Sequence, residues 1–241
     1  MKKKINIITF VLIIVMISLI SCSPGNKDDS EEKDYNEGIT FIPNMKTPYG
    51  TRLRPAQEGP PRSVFGYPEI NLDTFNLSIT GMVDSTYSLN WNDIVYYPKF
   101  TTEIMLMYCV DGWEVWGQWE GILIKDLLAA AKVQDGAEYV LFSSADGGYS
   151  TSLPISYMEK YNAILAHKVN GSNLAVEDGY PLRLVAFGKF GYKWIKWVNN
   201  IEVIEKSKLG YWENDGYSDE ANVPVSRRAF YERESAKPLE Y

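Results

Sequence analysis

The strongest constraint on the fold is a segment in which apolar and polar side chains alternate strictly. Between Phe75 and Val83, the side chains of Phe75, Leu77, Ile79 and Val83 occupy alternate positions. Because successive side chains of a strand point to opposite faces, this pattern predicts a strand with one buried face. The chain has 241 residues, of which 45% are apolar, so it contains enough apolar side chains to cover that face with a sizeable core.

Short strands and fewer helices are predicted along the rest of the chain. Helical spacing is clearest at Leu123, Leu127, Leu128 and Ala131, with shorter helices expected at 90–96 and 154–161. The predicted fold class is α+β, a single mixed, strand-rich domain with short helices at 39–241, which becomes an irregular C-terminal arm from about residue 208. Further strands are predicted at 101–109, 139–144, 163–169, 182–187 and 198–204.

The N-terminus is predicted to lie outside this domain. Three lysines precede the apolar run Ile5–Ile17, and small residues then lead to Cys22. This order resembles a bacterial lipoprotein signal, in which 1–21 is removed and Cys22 is lipidated. An uncleaved membrane helix is the alternative. Residues 22–38 are polar and acidic and predict a flexible tether, so we expect a membrane-anchored, extracytoplasmic protein on the periplasmic or cell-surface side.

The charge of the chain argues against nucleic acid as a partner. The formal net charge is −7, and removal of residues 1–21 with their three lysines would bring it to −10. An acidic surface repels the phosphate backbone of DNA and RNA. We therefore expect no nucleic-acid partner.

The scarcity of cysteine and histidine restricts the chemistry of the chain. It has two cysteines and one histidine, His167, so multi-histidine zinc sites and c-type haem attachment are excluded. With Cys22 assigned to lipid, Cys109 has no cysteine to pair with inside the chain. It follows an apolar strand and precedes the turn at Asp111 and Gly112. Such a thiol is either a small buried hydrophobe or a side chain presented to a ligand.

The residues around Cys109 favour the second interpretation. The segment 109–113 reads Cys-Val-Asp-Gly-Trp and is followed by Trp119, Gly121 and Leu123. This block resembles the molybdenum-ligand segment of the sulfite oxidase family of molybdopterin-dependent oxidoreductases, which includes periplasmic protein-methionine-sulfoxide reductases. The resemblance extends over roughly residues 72–217. It continues in the blocks at 77–83, 146–154, 170–171, 179–185, 191–197 and 210–217.

The resemblance implies a cofactor and the residues that hold it. Molybdenum in this family is bound by the two dithiolene sulfurs of one pterin and by one protein thiolate, here Cys109. A soft thiolate suits such a metal. The phosphorylated pterin also needs hydroxyl, backbone and cationic donors. One molybdenum–molybdopterin group per chain is expected. Its further contacts are assigned to Ser144, Asp178, Arg183, Lys193, Trp194, Ile195 and Lys196.

The resemblance further implies a lipid-anchored oxidoreductase that transfers an oxygen atom, with two electrons, to or from a small oxyanion or sulfoxide. Tyr149, in an Asp-Gly-Gly-Tyr turn, is the candidate hydrogen-bond donor to the substrate. The sequence has no ligand set for haem or an iron–sulfur cluster. A separate electron-transfer protein, such as a membrane cytochrome, is therefore expected as partner.

Two other functions remain open from the sequence. The signal carries Lys2, Lys3 and Lys4 instead of the twin arginines that serve export of folded cofactor proteins, and the usual N-terminal cofactor motif is replaced at 49–54. These departures are compatible with a cofactor-free lipoprotein that uses the same fold as a binding module. A cysteine-nucleophile hydrolase that pairs Cys109 with His167 is the third hypothesis.

Overall fold

The computed structural model describes residues 63–224. The predicted signal, Cys22, the tether and residues 39–62 and 225–241 lie outside this range. None of the helices within 63–224 is long and apolar enough to cross a membrane. The strands are β1 (Asn76–Gly81), β2 (Tyr87–Asn90), β3 (Thr101–Tyr108), β4 (Glu114–Leu123), β5 (Tyr139–Ser144), β6 (Ser150–Pro154), β7 (Ile164–Val169), β8 (Ser172–Asn173), β9 (Arg183–Val185) and β10 (Val198–Ile204). The helices are α1 (Trp91–Val95), α2 (Ile124–Ala131), α3 (Ile155–Tyr161) and α4 (Tyr211–Asn214).

The first sheet has the strand order β2-β1-β10-β5-β6. Its central pair, β1 and β10, is parallel, while the other pairs are antiparallel. The alternating segment forms β1 as predicted, and Phe75, Leu77, Ile79 and Val83 are all buried. Gly81 ends β1 with a φ of +87°, and a Cβ there would lie 2.1 Å from the carbonyl oxygen of Val203. Only glycine lets these two strands approach so closely.

The second sheet has the order β3-β4-β7-β8, and β9 also pairs with β7. Its longest strand, β4, was absent from the sequence prediction. The buried positions of β4 alternate regularly, but Gly117 and Gly121 occupy two of them and interrupt the apolar pattern. A Cβ on Gly121 would lie 2.1 Å from the Leu165 carbonyl oxygen, and one on Gly117 would lie 2.8 Å from the Trp119 ring. A side chain at either position would therefore collide with its neighbours, so both positions are glycine. The alternating apolar pattern that predicts a strand is lost there.

The helices pack their apolar faces on the sheets. Leu127, Leu128 and Ala131 of α2 are buried, as their spacing predicts. Helix α1 starts at a capping box, in which the Asn90 side chain accepts from the Asp93 N–H and the Asp93 carboxylate accepts from the Asn90 N–H. The predicted α+β, strand-rich architecture is confirmed, although four of its strands were not predicted: β2, β4, β6 and β8.

The two sheets bring strand ends and loops together at one place. An isolated parallel bridge joins Tyr108, the last residue of β3, to Phe190. The 3₁₀ turn Gly191–Lys193 follows at once, so the loop after β3 lies beside the segment that precedes β10. The peptide between Tyr180 and Pro181 is cis and lies just before β9. These connections surround the cavity described next.

Candidate active site

A cavity of about 570 Å³ opens where these loops meet. Its volume lies within the range of pockets that bind cofactors and small ligands. Both apolar and polar side chains line it, and they come from six parts of the chain. The lining is drawn from 63–64, 107–113, 144–149, 178–183, 191–197 and 212–217.

Cys109 lies in the wall of this cavity, directly after β3. Its backbone N–H donates to the carbonyl oxygen of Trp113 at 2.8 Å, and the Gly112 N–H donates back to the Cys109 carbonyl at 3.1 Å. Gly112 has a φ of +95°, which a residue with a side chain rarely adopts. The loop is thus closed on itself, and it holds a partly exposed thiol that forms no disulfide within the described residues.

Arg183 contributes a buried cation to the same cavity. It is 4% exposed, and its guanidinium lies 5.5 Å from the centre of the Trp119 ring. The Nη1 atom donates to the Asp178 backbone carbonyl at 3.0 Å, and Nη2 contacts the Met107 sulfur at 3.0 Å. Nε is buried and has no hydrogen-bond partner among the described residues. Burial lowers the pKa of Arg183 to about 10, so the side chain remains cationic at neutral pH and keeps a donor for an anion.

Lys196 and Asp178 complete a charged cluster around Arg183. The Lys196 ammonium donates to the Glu177 carbonyl oxygen and lies 5.4 Å from the Trp197 ring centre. Burial, and then the neighbouring Arg183 charge, lower the pKa of Lys196 to about 8, against the opposing effect of Asp178 and Glu177. Burial raises the pKa of Asp178, while Arg183 and Lys196 counteract that rise.

Ser144 and Tyr149 lie at the two ends of the turn that joins β5 and β6. The Ser144 hydroxyl accepts from the Asp146 N–H at 3.2 Å, and its backbone N–H donates to the Tyr149 carbonyl at 3.0 Å. The Tyr149 hydroxyl donates to the Tyr192 carbonyl oxygen at 2.6 Å, and burial raises its pKa. In this structure its proton is therefore used inside the protein, in contrast to the predicted role of Tyr149 as donor to substrate.

Trp194 and Ile195, which the resemblance assigns to the cofactor, both line the cavity. Trp194 is 1% exposed, packs edge-on against Trp119 at 5.6 Å between ring centres, and donates from Nε1 to the Lys189 carbonyl. Its indole N–H is thus satisfied within the core. The Ile195 carbonyl accepts from the Leu184 N–H, which ties this wall to β9.

Lys193 differs from the other predicted contacts because it does not line the cavity. Its side chain is fully buried, and the ammonium contacts Glu213 at 2.5 Å, Asp219 at 3.0 Å and the Ser152 carbonyl at 3.1 Å. All three ammonium protons therefore have acceptors inside the protein. The structure gives Lys193 an internal ion-pair role instead of the cofactor contact predicted from the sequence.

The Cys109–His167 pair proposed for a hydrolase is not formed in the cavity. His167 lies on β7, where its ring packs against Phe100 at 4.7 Å and its Nε2 is 3.7 Å from a Glu120 carboxylate oxygen. Burial lowers the His167 pKa to about 4, and the neighbouring Lys168 adds to this effect. His167 is not among the described residues that line the cavity, so it has no place there as a base for Cys109.

Several lining residues were not predicted from the sequence. They include Met107, Trp113, Trp212 and Tyr217. Trp113 is the most informative, because its indole Nε1 is buried without a hydrogen-bond partner among the described residues. Its position in the Cys109 loop was the available signal. The aromatic side chains of Tyr192, Trp212 and Tyr217 pack on one another and bring the C-terminal segment to the cavity.

The chain is similar to known oxidoreductases in both sequence and structure. The family described as the oxidoreductase molybdopterin binding domain matches residues 64–212. The uncharacterized oxidoreductase YuiH of Bacillus subtilis is 30% identical over 148 residues, which cover 61% of this chain and 74% of that protein. The putative protein-methionine-sulfoxide reductase subunit YedZ1 of Azospira oryzae is 26% identical over 185 residues, with 76% and 70% covered. The crystal structure of the sulfane dehydrogenase SoxCD from Paracoccus pantotrophus aligns with a TM-score of 0.56 at 25% identity, over 59% of this chain and 41% of the SoxCD chain.

The cavity fits the cofactor of that family. It offers a thiol at Cys109 and a buried guanidinium at Arg183 whose Nε still lacks an acceptor. The ammonium of Lys196 adds a second cation beside it. A soft metal needs the thiolate, and a phosphate needs the cations. The predicted resemblance to the sulfite oxidase family is confirmed, and the chain belongs to the oxidoreductase molybdopterin-binding domain family as an oxidoreductase with a molybdenum–molybdopterin cofactor.

Proposed function

We propose that the chain is a lipid-anchored, extracytoplasmic oxidoreductase that moves an oxygen atom to or from a small sulfoxide or oxyanion. For a sulfoxide the balanced reaction is R₂SO + 2 e⁻ + 2 H⁺ → R₂S + H₂O, in which the sulfur–oxygen bond breaks and the sulfur is reduced. The name of the Azospira relative, a putative protein-methionine-sulfoxide reductase subunit, supports this substrate class.

The observation that carries the proposal is the meeting of one thiol, the buried cation of Arg183 and the partly buried cation of Lys196 in a single cavity. In it, Cys109 would supply the thiolate ligand, while Arg183 and Lys196 would bind the phosphate of the pterin. Ser144 and Asp178 add polar groups to the same wall. When bound, the molybdenum–molybdopterin group supplies two-electron redox chemistry, and the protein positions and insulates it.

The electrons are proposed to come from a separate protein. A membrane cytochrome is the candidate partner, because lipidation at Cys22 would hold the domain close to the membrane surface. A lipid chain restricts the domain to a thin layer above the bilayer and so raises the rate of encounter with a membrane-bound donor. The proposed lipid anchor would thus serve electron transfer from the proposed membrane partner.

The two cysteines provide an experiment in which each variant is the control for the other. The full chain is expressed in its native host, and membrane fractionation, molybdenum per chain and turnover of sulfoxides, sulfite and other oxyanions are measured. Cys109→Ser should remain in the membrane fraction and lose molybdenum-dependent turnover, because an alcohol is a poor ligand for a soft metal. Cys22→Ala should lose the fatty-acyl modification that mass spectrometry detects on Cys22 and keep its molybdenum.

Three outcomes would contradict the proposal. A fully active Cys109→Ser variant would remove the thiolate role. Absence of a fatty-acyl group on Cys22 of the wild-type protein would remove the lipid anchor. Reproducible absence of molybdenum from the native-host protein would favour the cofactor-free binding module.

A further inference from the structure

Two donors in the cavity wall are buried and lack a hydrogen-bond partner among the described residues. They are Arg183 Nε and Trp113 Nε1. A buried N–H without an acceptor is costly, and native structures rarely leave one unused unless a ligand or water accepts from it. The cation at Arg183 already has a role toward the pterin phosphate. Trp113 has no such role and lines the same cavity, so a ligand bound there is the candidate acceptor for its indole N–H.

The backbone places Trp113 beside the metal ligand. The hydrogen bond from the Cys109 N–H to the Trp113 carbonyl closes the loop after β3, so the thiol and the indole belong to the two ends of one closed turn. Both side chains line the cavity. The orientation of the indole is supported from behind, because Trp113 packs against the main hydrophobic core. An acceptor for its N–H is therefore expected at the Cys109 end of the cavity, where the proposed function puts the metal.

The chemistry of indole narrows the kind of acceptor. Its Nε1 only donates, and it carries no charge. Three carboxylates also line the cavity, those of Asp111, Asp146 and Asp178. With Arg183 and Lys196 assigned to the pterin phosphate, these negative side chains repel an anionic substrate, whereas a neutral donor binds an uncharged oxygen without burying a further charge. A sulfoxide oxygen meets these conditions better than a sulfite or nitrate oxygen.

We propose that Trp113 is a substrate-binding residue whose indole N–H donates a hydrogen bond to the substrate oxygen at the Cys109 end of the cavity. The proposal rests on the oxygen-transfer function proposed above and names a residue that would recognise the substrate. The hydrogen bond selects molecules that present an oxygen acceptor. It discriminates against the thioether product, which lacks that oxygen, and so favours product release.

The test compares Trp113→Phe with wild type and with Trp91→Phe, all as molybdenum-loaded full-length protein. Phenylalanine keeps an aromatic ring and removes the donor. Trp91 packs on Tyr180 outside the cavity and controls for the loss of a tryptophan. Trp113→Phe should raise the KM for a dialkyl sulfoxide about tenfold with a smaller change in kcat, as expected for one hydrogen bond. Molybdenum content and the visible absorption spectrum should match wild type.

Binding of two unreactive probes measures the same contact without turnover. Calorimetry with dimethyl sulfone, which presents oxygen, and dimethyl sulfide, which does not, should show about tenfold weaker sulfone binding in Trp113→Phe and unchanged sulfide binding. Equal sulfone affinity in wild type and variant overturns the proposal. So does a loss of molybdenum or a shifted absorption spectrum with unchanged KM, because the indole would then serve the cofactor. Absence of sulfoxide turnover in wild type contradicts the proposed function, while the sulfone result still decides the role of Trp113.

Discussion

Arg183 and Lys193 are both buried cations, and the sequence predicts a cofactor contact for both, yet their surroundings differ. Lys193 has three acceptors, two of them carboxylates, at Glu213 and Asp219. Arg183 has a backbone carbonyl, a thioether sulfur and one nitrogen with no partner among the described residues. The comparison teaches that burial of a cation does not identify a ligand site. A buried donor without a partner, on a residue that lines a cavity, is the better indicator, because the protein has left that charge incompletely solvated.

The largest expected effect is on stability, at Lys193. Lys193→Met should lower the free energy of unfolding by about 3–5 kcal/mol, because it leaves the buried Glu213 carboxylate without its cation. Urea unfolding of the cofactor-free domain, followed by tryptophan fluorescence, measures the change. In the double variant Lys193→Met with Glu213→Met, most of the loss should be recovered, since an apolar pair replaces a buried ion pair. If Lys193→Met were as stable as wild type, Lys193 would not differ from Arg183 in its contribution to stability.

Arg183 should show the opposite balance between stability and binding. Arg183→Met should change the unfolding free energy of the cofactor-free protein by less than about 2 kcal/mol, because the lost contacts are offset by removal of an incompletely solvated buried charge. Its affinity for the cofactor should fall about 10- to 100-fold, the effect of losing charge-assisted hydrogen bonds to phosphate. Molybdenum and pterin content per chain give the readout.

Arg183→Lys serves as the matched control. It keeps the charge but lacks the planar donor fork, so its cofactor content should lie between those of wild type and Arg183→Met. If Arg183→Met retained full cofactor, the unpartnered Nε would have no significance for phosphate binding.

The parts of the site that the sequence could predict are those that lie in local sequence patterns. The alternating strands and the blocks around Cys109, Ser144 and Arg183 are local patterns, and the structure brings these residues to one cavity. Lys193 and Lys196 lie three residues apart in one block, and nothing in their spacing tells which ammonium reaches the cavity. The 3₁₀ turn Gly191–Lys193 and the acceptors on the C-terminal segment decide that.

Two other features depend on packing that no sequence pattern shows. Strand β4 is masked by Gly117 and Gly121, whose lack of a side chain has meaning only once Trp119 and the β7 backbone are in place. Trp113 is recognisable as a donor without a partner only after the surrounding atoms are known. In both cases the feature is an absence: a side chain that would not fit, or an acceptor that is not there. Such an absence is visible only from the surrounding atoms and not from the residue's neighbours in the sequence.

A smaller, pH-dependent effect is expected at Lys196, which shares the cavity with Arg183. Its pKa falls from 10.5 to about 8 on folding, so the cavity loses a positive charge as pH rises through about 8. Binding of inorganic pyrophosphate to the cofactor-free protein should therefore weaken between pH 7 and pH 9, by about three- to tenfold for one charge. Between pH 8 and 10.5 the unfolded chain binds more protons at this group, so its contribution to stability rises with pH.

Isothermal titration calorimetry at several pH values tests this dependence. Lys196→Met should bind pyrophosphate weakly at every pH. Lys168→Met, which alters a lysine paired with Glu120 away from the cavity, should keep the wild-type profile. A pH profile unchanged in Lys196→Met would assign the titration to another group.

The smallest effect on stability and turnover is expected at Tyr149. Its variant tests whether the hydroxyl makes an internal hydrogen bond or donates to a ligand. Its hydroxyl donates to the Tyr192 carbonyl at 2.6 Å, so Tyr149→Phe should cost about 0.5–1.5 kcal/mol of unfolding free energy, the usual value of one internal hydrogen bond. Because that proton is already used, kcat for a sulfoxide should fall by less than about threefold, a barrier change below the energy of one hydrogen bond. A loss of kcat of a hundredfold or more with unchanged stability would show that the hydroxyl turns toward the substrate during turnover. Tyr149 would then resemble Arg183, whose Nε has no partner among the described residues, more than Lys193.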